Sequence, residues 1–163
     1  MNGPPRAPAW ITRETIRTVS REAASSPRRR KNRNLHAMED PVHRLLNGME
    51  PGTYVRPHRH LHPPKSETAL VVAGRIGILF FDDAGSVLER RALEAGGETI
   101  GADFPPEAWH TLVALSPGSV FFETKAGPYA PPPEADLASW SPPEGSADAA
   151  RLELLWRGLF DAR

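Results

Sequence analysis

Two histidines, His58 and His60, stand two residues apart after Gly52, and Glu67 opens the next apolar run, which ends at Gly74. A strand alternates its faces residue by residue, so His58 and His60 project to the same side. If residues 61–66 turn the chain back, Glu67 approaches them from a neighbouring strand. Two imidazoles and a carboxylate meeting at a point suit a divalent transition metal, and His110, after Trp109, can supply a third imidazole. We read His58, His60, Glu67 and His110 as one metal site. Such a set leaves open coordination positions for substrate, water or dioxygen, as catalytic sites do and closed structural sites do not. The competing reading is a histidine-rich surface loop without metal. The clustering of His58, His60 and His62 just before Glu67 favours the site. His62 precedes Pro63-Pro64 and reads as a loop residue near the rim, and Glu107 as a turn residue.

Cysteine is absent from the 163 residues, which excludes disulfides, thiolate ligands and a cysteine nucleophile. Imidazole and carboxylate ligands admit one divalent ion among Fe, Mn, Ni, Co and Zn without choosing between them. The formal net charge is zero, so charge gives no case for nucleic acid or membrane as partner. No secretory signal and no membrane-spanning run are read, and the expected location is cytoplasmic.

The elements that must position these residues are mostly strands. Residues 1–9 read as a Pro-rich lead. Ile11–Ala24 reads as a helix capped by Thr12, with Ile16, Val19 and Ala23 on one face. The basic run from Arg28 to His36 reads as a strand whose alternate residues Arg28, Arg30, Asn32, Asn34 and His36 face a pocket; a solvated edge is the plainer alternative. Strands follow at Val42–Met49, Thr53–His60, Glu67–Ala73, Arg75–Phe81, Val87–Leu93, Trp109–Leu115 and Val120–Lys125, with turns at Asp82–Gly85, Gly96-Gly97 and Gly101. Residues 104–108 read as a tight loop. In Thr53–His60 the alternation puts Tyr54, Arg56, His58 and His60 on one face, a polar cavity lining. Strands this close, with no helices between them, predict an antiparallel sandwich or barrel. After Tyr129 a Pro-rich segment leads to a short helix capped by Ser146. Its face of Leu152, Leu155, Trp156 and Leu159 needs cover, from this chain or from a second copy in a homodimer. The division is residues 1–27 as tail and helix, 28–129 as barrel, and 130–163 as Pro-rich segment and helix.

Gly52-x5-His58-x-His60-x6-Glu67-x6-Gly74 resembles the first cupin motif, and Gly101 through Pro105-x-Glu107-x-x-His110 resembles the second. The His60 to Glu67 gap is longer than the usual cupin spacing, and Glu107 stands where glycine is usual. A narrower resemblance runs through Ser26-Pro27-Arg28, Arg30, Asn34-Leu35-His36, Asp40-Pro41-Val42, the Arg56–His60 run, Lys65, Trp109-His110 and Gly127-Pro128-Tyr129. It is to the WbuC-type cupin-fold metalloproteins. The resemblance implies an all-β cupin double-stranded β-helix, an antiparallel barrel with a metal inside, flanked here by an N-terminal and a short C-terminal helix. It also implies a loose link to bacterial surface-polysaccharide synthesis. On this basis Arg28, Arg30, Asn34, His36, Lys65 and Tyr129 are expected to line the mouth with Arg56 and bind a small anionic, carbohydrate-like substrate; the equal alternative is that the arginines pair with acidic residues and only hold the barrel together. Tyr54 and Arg56 are expected at the chemistry. The expected function is a metal-dependent isomerase, epimerase or oxygenase. The alternatives are a non-catalytic module for metal and small ligand, and a metal-free dimer scaffold.

Overall fold

The protein is described by a computed structural model over residues 7–161. The first six residues of the expected Pro-rich lead, and residues 162 and 163, lie outside the described residues.

The first helix, α1 (Arg13–Ser25), starts where expected. The Thr12 hydroxyl accepts from the Thr15 N–H at 3.1 Å, and the Thr15 side chain reaches back to the Thr12 N–H, satisfying two donors that the first turn would leave bare. Eight strands follow: β1 (Arg30–Asn34), β2 (Val42–Met49), β3 (Glu67–Ala73), β4 (Arg75–Phe81), β5 (Val87–Glu94), β6 (Gly101–Phe104), β7 (Trp109–Ala114) and β8 (Ser119–Ala126). A 3-10 turn, Glu134–Asp136, precedes the second helix, α2 (Ala147–Gly158).

The strands form two antiparallel sheets, in the orders β1-β2-β8-β3-β6 and β5-β4-β7. Chain neighbours are repeatedly split between the sheets, as a double-stranded β-helix requires, and the expected all-β fold is observed. The two sheets face each other as a sandwich without closing into one continuous ladder. Period-two alternation sends Met49, Ala69, Val71, Ile76, Ile78, Leu112, Ala114 and Phe121 into the space between them. The outer face of the larger sheet is covered by α1, through Val19, Leu46 and Val120. Contact there is close: a Cβ at Gly48 would lie 2.8 Å from the Val19 carbonyl oxygen. The outer face of the smaller sheet, Leu79, Phe81 and Val113, is covered by Trp156 of α2 and by Trp140.

Three expectations are corrected. Thr53–His60 is extended but forms no strand. Its one bridge residue, His58, pairs with His110 on one side and Leu137 on the other. Pro57 has no N–H to continue a ladder. Residues 101–104, read as a turn and the start of a loop, pair with β3 as β6. The buried face of α2 is Ala149, Glu153 and Trp156, with Leu152 half-buried, whereas Leu155 is 67% exposed. Glu153 replaces leucine on that face because its carboxylate accepts the Gly52 N–H at 3.0 Å and meets Arg157 at 3.2 Å. The helix therefore docks on its own chain.

Candidate metal centre

Along the sandwich, the inward residues change character from one end to the other. On β3 the inward series runs Glu67, Ala69, Val71; on β7, His110, Leu112, Ala114; on antiparallel β8, Phe121, Glu123, Lys125. The registers stack these series, with Glu67 opposite Lys125 and Val71 opposite Phe121. One end is hydrocarbon and the other holds charges and imidazoles.

At the polar end, ring nitrogens of His58, His60 and His110 lie within 4.8 Å of one another. Two backbone hydrogen bonds clamp His58 to His110, from each N–H to the other's carbonyl, at 3.0 and 2.9 Å. The His110 Nδ1 faces the Ala108 carbonyl at 2.9 Å and the His58 Nδ1 faces the Arg56 carbonyl at 3.0 Å. A carbonyl can only accept, so both Nδ1 atoms carry the proton and both Nε2 atoms keep a lone pair. The His110 ring is fully buried against Phe104, with centroids 4.7 Å apart, and its Nε2 has no hydrogen-bond partner. The His60 Nε2 lies 2.8 Å from Glu67 Oε2 but is likewise not aligned for a hydrogen bond.

Lone pairs that converge without bonding each other are the donor set of a cation. A buried polar atom left alone costs about 1–3 kcal/mol, and one divalent ion would remove that cost at several atoms together. The charges agree. Burial, then the neighbouring imidazoles, depress the His58 pKa to about 3; burial also lowers that of His110, so both rings are neutral. Burial pushes the Glu67 carboxyl up, but His60 and Lys125 outweigh this and hold it below its usual value. Burial likewise opposes the Lys125 charge, and Glu67 and Glu123 overcome it and raise the ammonium. The Glu67 carboxylate and the Lys125 ammonium thus stand beside the neutral rings of His58 and His110, while burial and the neighbouring Glu67 push the Glu123 carboxyl up. The residues present fit a divalent metal held by His58, His60 and His110, with Glu67 adjacent as the fourth donor.

Two cavities meet at His58. One, of about 340 Å³, is lined by Arg28, Arg30, Lys31 and Asn32 at its mouth and by Asn47, Glu67, Glu123 and Lys125 deeper in. The other, of about 170 Å³, is lined by His60, Lys65, Tyr129 and the prolines 131–133. Arg28 and Arg30 lie on this lining, and Glu144 engages both guanidinium groups at 2.8–2.9 Å. Lys65 and Tyr129 reach the site from the other side. Asn34 and His36 line neither cavity. Asn34 accepts from Asn32 at 2.7 Å, while His36 stacks on His43 and takes the Arg44 N–H at 3.0 Å.

Tyr54 and Arg56 do not share the face of His58 and His60, because the alternation slips at Pro57. Val55, not Tyr54 or Arg56, packs toward the interior. The Tyr54 ring stacks on Trp156 at 5.8 Å, and its hydroxyl donates to the Pro142 carbonyl at 3.0 Å. Arg56 donates to the Ala138 carbonyl at 3.0 Å and pairs with Glu134.

Sequence reading missed two groups. Asn47, Glu123 and Lys125 line the larger cavity, and the signal was present: in Val120–Lys125, charge occupies the same parity as Phe121. Asp136 is the other. Its carboxylate accepts the N–H groups of Leu61 and His62 and the His62 ring, and its backbone carbonyl takes the Arg59 N–H. The segment after the 3-10 turn therefore braces His58–His60 from outside. Nothing in its local sequence marks this, because its partner lies more than seventy residues away.

A family model described as a domain of unknown function (DUF6016) matches residues 11–93. No curated protein matches. Among solved structures, KdgF from Halomonas sp. is similar over 62% of this chain and 80% of its own, at 20% identity and a TM-score of 0.49. An oxalate oxidase bound to the substrate analogue glycolate is similar over 63% of this chain, at 17% identity and a TM-score of 0.49; the chain spans about half of that protein, 52%. The Cnp3 cupin domain of Schizosaccharomyces pombe is similar over 60% of each chain, at 13% identity and a TM-score of 0.47.

Proposed function

The chain belongs to the family described as a domain of unknown function (DUF6016), and for this member of it we propose a metal-dependent site that acts on a small anionic, carbohydrate-like molecule. The observation that carries the reading is the set of buried histidine nitrogens, His110 Nε2 and His60 Nε2 foremost, that converge without hydrogen-bond partners beside Glu67. His58, His60, Glu67 and His110 would hold one Fe, Mn, Ni, Co or Zn ion, which when bound supplies a Lewis acid for a ligand oxygen.

The chain's own residues do the rest. The Arg56 and Ala108 carbonyls fix the imidazole tautomers. Phe80 and Phe104 keep water from the back of His110. Arg28, Arg30 and Lys31 favour an anion at the mouth of a cavity large enough for a small ligand. Isomerase, epimerase and oxygenase chemistry all fit an open metal position beside a polar pocket. The WbuC-type resemblance of the Arg56–His60 run supports a link to bacterial surface-polysaccharide synthesis. Among the described residues no helix is long and apolar enough to cross a membrane.

One observation favours a module that binds metal and ligand without turnover: Tyr54 and Arg56, the groups expected at the chemistry, are engaged elsewhere. Turnover against sugar acids and sugar phosphates, with and without air, decides between the two. Activity that His58→Ala abolishes supports the enzyme. A ligand that raises the melting temperature of metal-loaded protein without being converted supports the module.

A further inference from the structure

The metal ligands account for only part of the polar end. β8 turns Glu123 and Lys125 into the same cavity, on a face whose next member, Phe121, is core. Glu123 is 6% exposed, and Asn47 Nδ2 donates to its Oε2 at 2.8 Å. The other oxygen, Oε1, is buried and ion-paired to Lys125 Nζ at 2.7 Å, and no second donor reaches its remaining lone pair. An apolar residue there would extend the core. Lys125 is shared with Glu67, 3.3 Å away, so the ammonium is held between two carboxylates at the cavity wall. The buried acceptor borders a cavity whose wall also includes Glu67 and His58.

We infer that Glu123 is a specificity residue: its Oε1 accepts the hydroxyl of a ligand seated over the histidines, while Lys125 beside it takes an anionic oxygen of the same ligand. Asn47 holds the carboxylate in place. The cavity is then built for a small hydroxy acid. This rests on the metal-dependent reading above and adds to it the feature of the ligand that the site selects. An ion pair that served packing alone would be indifferent to a ligand hydroxyl. A carboxylate that accepts one discriminates against the analogue lacking it, because a lone pair facing a buried cavity is then left without a donor.

Lactate and propionate differ by one hydroxyl and serve as probes in calorimetric titrations of metal-loaded protein. The wild type should bind lactate at least about tenfold more tightly, the usual scale of one hydrogen bond to a charged group. Glu123→Leu should bring the two affinities together while leaving metal content unchanged. Glu123→Gln keeps the shape with a weaker acceptor and should narrow the ratio; it decides the matter if the leucine variant does not fold. Equal binding of the two acids by fully loaded wild type, or binding of neither, overturns this inference and leaves the metal site standing. A lactate preference that survives in the variants also overturns it, since the hydroxyl then goes to the metal. Wild-type protein that holds no metal overturns both readings.

Discussion

The two ends of the sandwich interior are built on the same strands and differ in almost everything else. At one end Val71, Ile76, Ile78, Ala114 and Phe121 exclude water, with no buried polar side chain among them. At the other, three imidazoles, two carboxylates and an ammonium share a space bounded by the continuation of β3, β7 and β8. The first end gains stability from each apolar side chain it buries. The second keeps charges in a low-dielectric site, where removing one partner is far more damaging than the pair is helpful. The difference teaches that this fold separates its tasks by position along the strand: apolar burial holds the sheets together and frees the far end to be polar.

The sharpest way to break the comparison is Lys125→Met. It leaves Glu67 and Glu123 buried without their shared cation and should cost about 3–5 kcal/mol in denaturant unfolding of the metal-free protein. Added metal should restore part of that loss. A cost below about 1 kcal/mol would mean that water reaches the carboxylates freely. At the other end, Ile78→Ala removes a fully buried side chain and should cost about 2–5 kcal/mol while leaving metal content unchanged. A parallel loss of metal would show that the two ends are not independent.

Acid should separate the ends with a smaller effect. His58 is neutral when folded, with its pKa depressed from 6.5 to about 3. The unfolded chain therefore takes up its proton at a higher pH than the folded one. The stability that the neutral ring supports is present above about pH 6.5 and is lost as the pH falls toward about 3. Metal-free wild type and Ile78→Ala should show this slope in common, and His58→Phe should flatten it.

The apolar end was the more legible in sequence. The strands Glu67–Ala73 and Arg75–Phe81 fall where alternation and β-branched residues place them, and the turn between Asp82 and Gly85 follows from a glycine at φ +90° with the Asp82 carboxylate accepting the Ala84 and Ser86 N–H groups. The polar end was legible only in its histidines and Glu67. Strict alternation misplaced Tyr54 and Arg56, because Pro57 breaks the ladder and shifts parity by one residue between Val55 and His58. The carboxylate of Asp136 and the bridge at Leu137 brace the histidine segment through contacts that no local pattern encodes. Arg28 and Arg30 line the larger cavity together with Lys31 of the opposite parity, while Asn34 and His36 of the same parity do not, so alternation alone does not account for the lining. The pairing of Arg28 and Arg30 with Glu144, more than a hundred residues on, depends on where α2 begins.

The most direct test of the central claim is the metal content of protein purified without a metal-affinity tag, measured by mass spectrometry after dialysis and compared with His110→Ala. The account predicts about one equivalent of a divalent transition metal in the wild type and little in the variant, with a melting temperature that falls on chelation in the wild type alone. Wild-type protein that carries well below one equivalent, and that neither binds nor is stabilised by added Fe, Mn, Co, Ni or Zn, would contradict it.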